Sequence, residues 1–482
     1  MRDKRHWLVE LLVIVLLLGA FVTWKFDLLD RFGGADPAAA PVDVAPPDKV
    51  QLPLAAPSRK LARPAKAGQL DPARVAAAVS GLIDHKVLGP RVSVRITDPA
   101  SGATIFHQGA SRFTPASTLK LATTVASLQS LGPMATFKTK VVRDPQANQI
   151  ILVGGGDPYL ASTPKADQAA YPVGGNLADL AKQTAQALGA SGAGPVHLRI
   201  DDSLFAGPSI SADWRPNYVP DSVVSPISAL WVDQARLGFG FSSDPALQAG
   251  QRFKKQLLKL GVQVVGPIRR TNAAPDAIEL ASVDSGPVGE IVEEVLGVSD
   301  NQAAEVLARH VGLKVANDPS FTGGASAVQQ VLSSLGVNTR GNSTFDGSGL
   351  SRANRLTSVS LAQTLRLTTE SGQPRLRSSV TGLPVAGFTG SLKWRFGVGP
   401  SEALGRVRAK TGTLTGVHGL AGVVTTADHA QMVFVLVADR VAPDKGGLAQ
   451  MQLDKIAGAL GACACGVGSR PWVILPPAAL NR

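Results

Sequence analysis

The chain has 482 residues, 44% of them apolar. That is enough for two or three domains with sizeable cores, and it excludes wholesale disorder. Two cysteines, Cys463 and Cys465, exclude a disulfide scaffold or a cysteine-rich zinc site, leaving a local disulfide or two small buried apolar groups. The seven histidines form no His-x-x-x-His pair, so neither a metal nor another cofactor is expected. The net charge of +12 is spread along the chain without a dense basic block. It suits a solvated surface or attraction to an anionic polymer or lipid headgroups, and no nucleic-acid motif is present.

Arg2, Lys4 and Arg5 precede an apolar run from Trp7 to Phe26, interrupted by Glu10, Thr23 and Lys25. That length crosses a bilayer, with Trp7 and Trp24 placed as interfacial anchors and the basic end inside. No small-x-small cleavage site follows closely, so residues 1–26 read as an uncleaved membrane anchor, the alternative being a cleaved signal peptide. Residues 27–68, rich in Pro and Ala, read as a linker to an exported body.

From Asp71 a helical pattern (Val75, Val79, Leu82, Ile83) runs to Lys86, and Val92–Thr97 with Thr104–Phe106 reads as a hairpin. Leu121, Val125 and Leu128 then recur at i, i+4 and i+7, predicting a helix that Gly132-Pro133 stops and Pro115 opens. Ser117 thus falls in its first turn, among free N–H groups and the positive end of the dipole. Lys120, three residues on, shares its face.

Between about 140 and 284 the character changes. Strands Ile150–Val153 and Val196–Ile200, a helix near 176–189, all three tyrosines (Tyr159, Tyr171, Tyr218), Trp214 and Trp231 lie here. Residues 141–284 read as an inserted accessory domain, separable enough that replacing 146–280 by a short linker leaves the chemistry of the rest partly intact if the core then folds. Val288–Leu296 follows as an apolar-faced helix. Ser299-Asp300-Asn301 opens another, bearing Ala304, Leu307, Ala308 and Val311. Asp346, Gly347 and Gly349 mark a turn before a helix from Ser358 to Thr368. Strand Arg406–Thr413, hairpin Leu420–Thr425 and Met432–Ala438, and a helix outlined by Leu448, Met451, Ile456 and Leu460 close the chain. Two strands at the start and three at the end predict one antiparallel sheet, split by everything between.

A serine hydroxyl is a poor nucleophile without a base in hydrogen-bond reach. Ser117-x-x-Lys120 supplies one, although the pattern alone is weak: Ser162-x-x-Lys165 matches it too, with a proline inside and no apolar helix behind. Ser299-Asp300-Asn301 and Lys410-Thr411-Gly412 corroborate the first match. Both are unique in the chain, and the ordered trio is that of serine β-lactamases and penicillin-binding proteins.

Together with Gly154–Leu160, Asp202–Phe205, Asp346–Ser351 and Lys410–Val417, these motifs resemble the D-alanyl-D-alanine carboxypeptidase/endopeptidase family, the low-molecular-mass class C penicillin-binding proteins of peptidase family S13. The resemblance covers about residues 70–460. It implies an α+β serine β-lactamase/DD-peptidase fold: a five-stranded antiparallel sheet with flanking helices and an all-helical subdomain, built from 69–140 and 285–470, with a large inserted domain. His418-Gly419 departs from the small polar residues expected after Val417.

The resemblance also implies a mechanism. Ser117 attacks the carbonyl between two D-alanines of a peptidoglycan stem peptide or cross-bridge and forms an acyl-enzyme. Lys120, neutral through burial and the nearby Lys410 charge, takes the serine proton. Ser299, backed by Lys410, passes a proton to the departing amine. Asn301 binds a peptide amide, and Thr411, Gly412 and Thr413 line the substrate, the two hydroxyls holding its terminal carboxylate. The N–H groups of Ser117 and Thr413 form the oxyanion hole. β-Lactam antibiotics would acylate Ser117 and stay. The rival readings are a serine β-lactamase, which here lacks a downstream Glu-x-x-x-Asn, and a catalytically weak membrane-tethered wall-binding protein, which has no reason to keep all four of Ser117, Lys120, Ser299 and Lys410.

Overall fold

The structure, a computed structural model, describes residues 70–144, 148–164, 171–190 and 194–467. The expected anchor (1–26) and linker (27–68) lie outside the described residues. No helix among the described residues is long and apolar enough to cross a membrane.

The predicted split sheet is present. Its strands run in the order Val407–Leu414, Val417–Thr425, Gln431–Ala438, Val92–Thr97, Thr104–Gly109, every neighbouring pair antiparallel. Successive side chains of a strand point to opposite faces, and the strand Gln431–Ala438 uses both. Met432, Phe434 and Leu436 pack with Val75, Val79, Leu453 and Ile456, under the terminal helices Pro72–Ile83 and Gly446–Ala462. Val433, Val435 and Val437 pack on the other side with Leu121, Val125 and Leu128 of the helix Lys120–Leu131. A strand sandwiched in this way has no polar face to offer, which is why its sequence is almost continuously apolar.

The helix Lys120–Leu131 is the centre of that second layer, buried from Lys120 through Leu128. Its hydroxyls are satisfied without water: Thr123 Oγ1 donates to Gly347 O at 2.7 Å and Ser127 Oγ to Thr123 O at 2.8 Å. Around it lie the helices Val288–Gly297, Asn301–Ala316 and Phe321–Ser334, joined by one hydrophobic cluster.

A second five-stranded sheet has the order Ile278–Asp284, Lys138–Arg143, Gln149–Val153, Val196–Asp201, Val264–Arg270. The last two pairings are parallel, and parallel neighbours need crossovers. The helices Leu177–Ala190 and Pro245–Lys259 lie in these crossovers and close a separate cluster on the sheet. This sheet begins at Lys138, ahead of the boundary expected at 141. Near the other end of the chain Cys463 and Cys465 form a disulfide.

Candidate active site

Ser117 is not in the first turn of an α-helix. It sits on a 3₁₀ turn, Ala116–Leu119, and the α-helix begins at Lys120. A 3₁₀ turn repeats every three residues and so eclipses i with i+3. This brings Lys120 Nζ to 3.0 Å from Ser117 Oγ. Ala116, just before the serine, has φ 47°, a left-handed conformation that persists in a residue with a Cβ only where its surroundings impose it.

Two glycines supply part of that constraint. A Cβ on Gly412 would lie 2.9 Å from Pro115 O, and one on Gly349 would lie 1.9 Å from Ala116 O, at a φ of +89°. Gly349→Ala therefore combines overpacking with backbone strain, a loss of roughly 2–4 kcal/mol. Denaturant melts check this; an unchanged midpoint would mean that the turn gives way freely.

Lys120 is fully buried. Besides Ser117, its Nζ donates to Asn301 Oδ1 and to Ser348 O, each at 2.8 Å. Neither of those oxygens can donate in return. A neutral Lys120 has two N–H bonds to give them, and its lone pair then points at the Ser117 hydroxyl. Asn301 is thus turned inward: Oδ1 holds Lys120 and Nδ2 donates to Val223 O at 3.0 Å.

Burial pushes Lys120 down to about 8, against the carboxylates of Glu305, Asp346 and Asp300, which favour its charge. Lys410, also fully buried, is held well below its ordinary value, first by burial and then by the positive charges of Lys120 and Arg395. The sequence reading had the like-charge effect act on Lys120. The repulsion is mutual, and on Lys410 it adds to burial and to the Arg395 charge, while on Lys120 the carboxylates oppose it. Lys410 Nζ donates to Ser299 Oγ at 2.7 Å and to Thr411 O at 3.0 Å. Ser299 itself has φ 63°.

The third motif divides by position. Thr411 is buried, its Oγ1 3.0 Å from Ser391 Oγ; Gly412 is packed on the Ser117 turn; Thr413 is exposed. His418 stands opposite Thr413 in the register and shares the sheet face of Leu420, not that of Ala421, the residue opposite Lys410. A Cβ on Gly446 would lie 3.0 Å from its Nε2. The departure at His418 therefore fills space toward the last helix. In the decoy pair, Ser162 accompanies a turn by donating its N–H to Asp233, and Lys165 lies outside the described residues.

Glu305 and Gln234 were not singled out from sequence, and Asp346, Trp214 and Tyr159 were given no place in the site. Glu305 is buried in the helix Asn301–Ala316 and accepts the N–H groups of Gly347 and Ser348 at 2.9 and 2.8 Å. It thereby fixes the carbonyl that holds Lys120. Burial, reinforced by Asp346, raises its carboxyl to about 7. Asp346 gathers four donors: Trp214 Nε1, Ser351 N, Gly349 N and Asn354 Nδ2. Tyr159 and Gln234 donate to Asp300.

Four of these contacts (Tyr159, Trp214, Val223 and Gln234) come from the stretch between the motifs. Removing 146–280 would strip these hydrogen bonds from Asp300, Asn301 and Asp346.

The model of the D-Ala-D-Ala carboxypeptidase 3 (S13) family matches residues 75–243 and 240–460. The carboxypeptidase DacB of Mycolicibacterium smegmatis is 32% identical over 95% of this chain and 96% of its own length. The D-alanyl-D-alanine carboxypeptidase of an Actinomadura species is 27% identical, over 74% of this chain and 80% of its own. Penicillin binding protein 4 (dacB) of Haemophilus influenzae has a similar crystal structure, with a TM-score of 0.66 at 21% identity, covering 78% of this chain and 97% of that one. The fold is the α+β serine β-lactamase/DD-peptidase fold, and the chain belongs to the D-Ala-D-Ala carboxypeptidase 3 (S13) family.

Proposed function

We propose that the protein is a penicillin-sensitive serine D-Ala-D-Ala carboxypeptidase/endopeptidase that trims or cleaves peptidoglycan peptides through an acyl-enzyme on Ser117. The observation that carries this reading is the three-way bonding of Lys120, which leaves its lone pair for Ser117 once the ammonium has lost a proton. Ser117 Oγ then forms a bond to the carbonyl carbon of the penultimate D-alanine, and its proton moves to Lys120. The tetrahedral oxyanion is held by the N–H groups of Ser117 and Thr413. Ser299, bonded to Lys410, delivers a proton to the nitrogen of the terminal D-alanine as the C–N bond breaks. Water hydrolyses the ester by the same route reversed. Thr411, Gly412 and the exposed Thr413 form the wall on which the terminal carboxylate rests, beside Lys410. Asn301 acts first as a brace for Lys120, with an N–H remaining for the substrate.

A β-lactam ring presents the same carbonyl but keeps its leaving group tethered, so it acylates Ser117 and remains. The basic N-terminus and its apolar run support a body outside the membrane, anchored by residues 1–26. Labelled penicillin should therefore give a stable adduct on wild-type protein and none on Ser117→Ala. Protease added to intact spheroplasts should degrade the labelled body. A label lost within minutes would mean a β-lactamase, no label a wall-binding protein, and a protected body would sink the exported topology.

The acylation rate should also rise with pH through about 8. Lys120 accepts a proton only when neutral, and about a tenth of it is neutral at pH 7. A rate that is flat between pH 6 and 9 would count against Lys120 as the base.

A further inference from the structure

Asp233, Gln234 and Ala235 have φ angles of 50°, 51° and 61°. L-residues visit the left-handed region singly; three in succession, none of them glycine, require support from outside. Asp233 Oδ1 accepts the Ser162 N–H at 2.9 Å, its carboxylate pairs with Arg252, and Arg252 Nη2 reaches Arg236 O at 3.1 Å. The turn also carries a side chain to the Ser-Asp-Asn motif. Gln234 Nε2 donates to Asp300 Oδ2 at 2.6 Å, the oxygen that also accepts Tyr159 OH at 3.2 Å, while Oδ1 caps the following helix through Ala303 N at 2.9 Å.

Asp300 stands between Ser299, which touches Lys410, and Asn301, which touches Lys120. A shift of its carboxylate moves both neighbours. We infer that Gln234 is a positioning residue for acylation: carried on the left-handed turn, it fixes Asp300 and so holds Ser299 on Lys410 and Asn301 on Lys120. The inference rests on the acyl-enzyme reading above. An amide suits the task, since it donates to the carboxylate without neutralising it. The Asp300 charge is also felt by Lys120 and Tyr159, and Tyr159 is faced by Asp157 and Glu294 as well.

Two variants separate the side chain from the turn. Gln234→Gly removes the amide yet adopts the left-handed conformation without strain. Gln234→Glu keeps the shape but sets a second carboxylate against Asp300. The measurements are the second-order rate of penicillin acylation, its pH profile and the thermal midpoint.

Gln234→Gly should melt at or above wild type and acylate at least about tenfold more slowly. Gln234→Glu should move the rising limb of the profile to higher pH, because an added negative charge favours the Lys120 ammonium. Acylation by Gln234→Gly within about twofold of wild type overturns the inference. If that variant melts low instead, the profile of Gln234→Glu decides, and an unmoved limb overturns it. Wild-type protein that takes no label sinks the proposed function itself, a result distinct from either.

Discussion

Lys120→Arg is expected to lose penicillin acylation almost as fully as Lys120→Ala, by roughly the 10²–10⁴-fold assigned to general base catalysis. Arginine keeps the positive charge, but its pKa lies above about 12, so it cannot accept the serine proton. The geometry sharpens the distinction. Lys120 faces a carbonyl and an amide oxygen, both obligate acceptors, and a guanidinium satisfies them with N–H bonds while offering Ser117 no lone pair. Lys410→Arg is the control. There the cation faces Ser299 and Thr411 O, and some function survives if charge is what matters. The second-order acylation rate is measured for each variant, with folding checked by thermal melting. If Lys120→Arg acylates within about tenfold of wild type, a deficit under roughly 1.4 kcal/mol, the base is another group.

Glu305→Ala should be the most destabilising single change in the site. It strands two buried N–H groups, Gly347 and Ser348, at about 1–3 kcal/mol each. It also frees the Ser348 carbonyl that orients Lys120, so acylation falls in whatever fraction remains folded. Glu305→Gln keeps one acceptor and turns an NH₂ toward the other donor, and should fall between wild type and alanine.

The pH dependence follows from the carboxyl being raised to about 7 from 4.5. The fold favours its protonated form, so the contribution is complete below about 4.5 and is lost as pH rises through about 7. The advantage of wild type over Glu305→Gln, measured in urea, should therefore shrink across that window. A gap that stays constant from pH 4 to 8 would mean that Glu305 does not titrate there.

What the sequence disclosed, and what it concealed, divides along the range of the interactions. Alternation in Val92–Thr97 and the apolar hairpin ending at Ala438 led to the sheet, because burial imposes period two on each strand regardless of context. Ser117 and Lys120 were singled out by their near spacing and Ser299 and Lys410 by their motifs, and the structure brings the four side chains into two hydrogen-bonded pairs, the second across 111 positions. The 3₁₀ turn under Ser117 was missed: the apolar spacing 121, 125, 128 is equally good for a helix starting at 116 or at 120. Glu305 left a trace, a charged residue beside Ala304 and Ala308 on an apolar face. Gln234 left none, since no glycine announces the left-handed turn and its partner lies 66 positions away. The ties between 141–284 and the motifs escaped notice for the same reason. Hydrogen bonds from Tyr159, Trp214 and Gln234 to the motifs carry no local signature.

The sheet that pairs Val92 with Ala438 also sets the order of events in folding. Its first hairpin can close early, but its three remaining strands come from residues 407–438, so the catalytic layer has no partner until nearly the whole chain has been made. Contacts of such sequence separation are entropically late and slow. The second sheet, complete by Asp284, has all its strands available long before that. The two sheets are thus expected to mature in sequence, the one between the motifs first and the one beneath Ser117 last. Throughout that interval the strand Val92–Thr97 has only one of its two neighbours and presents an open edge to other chains.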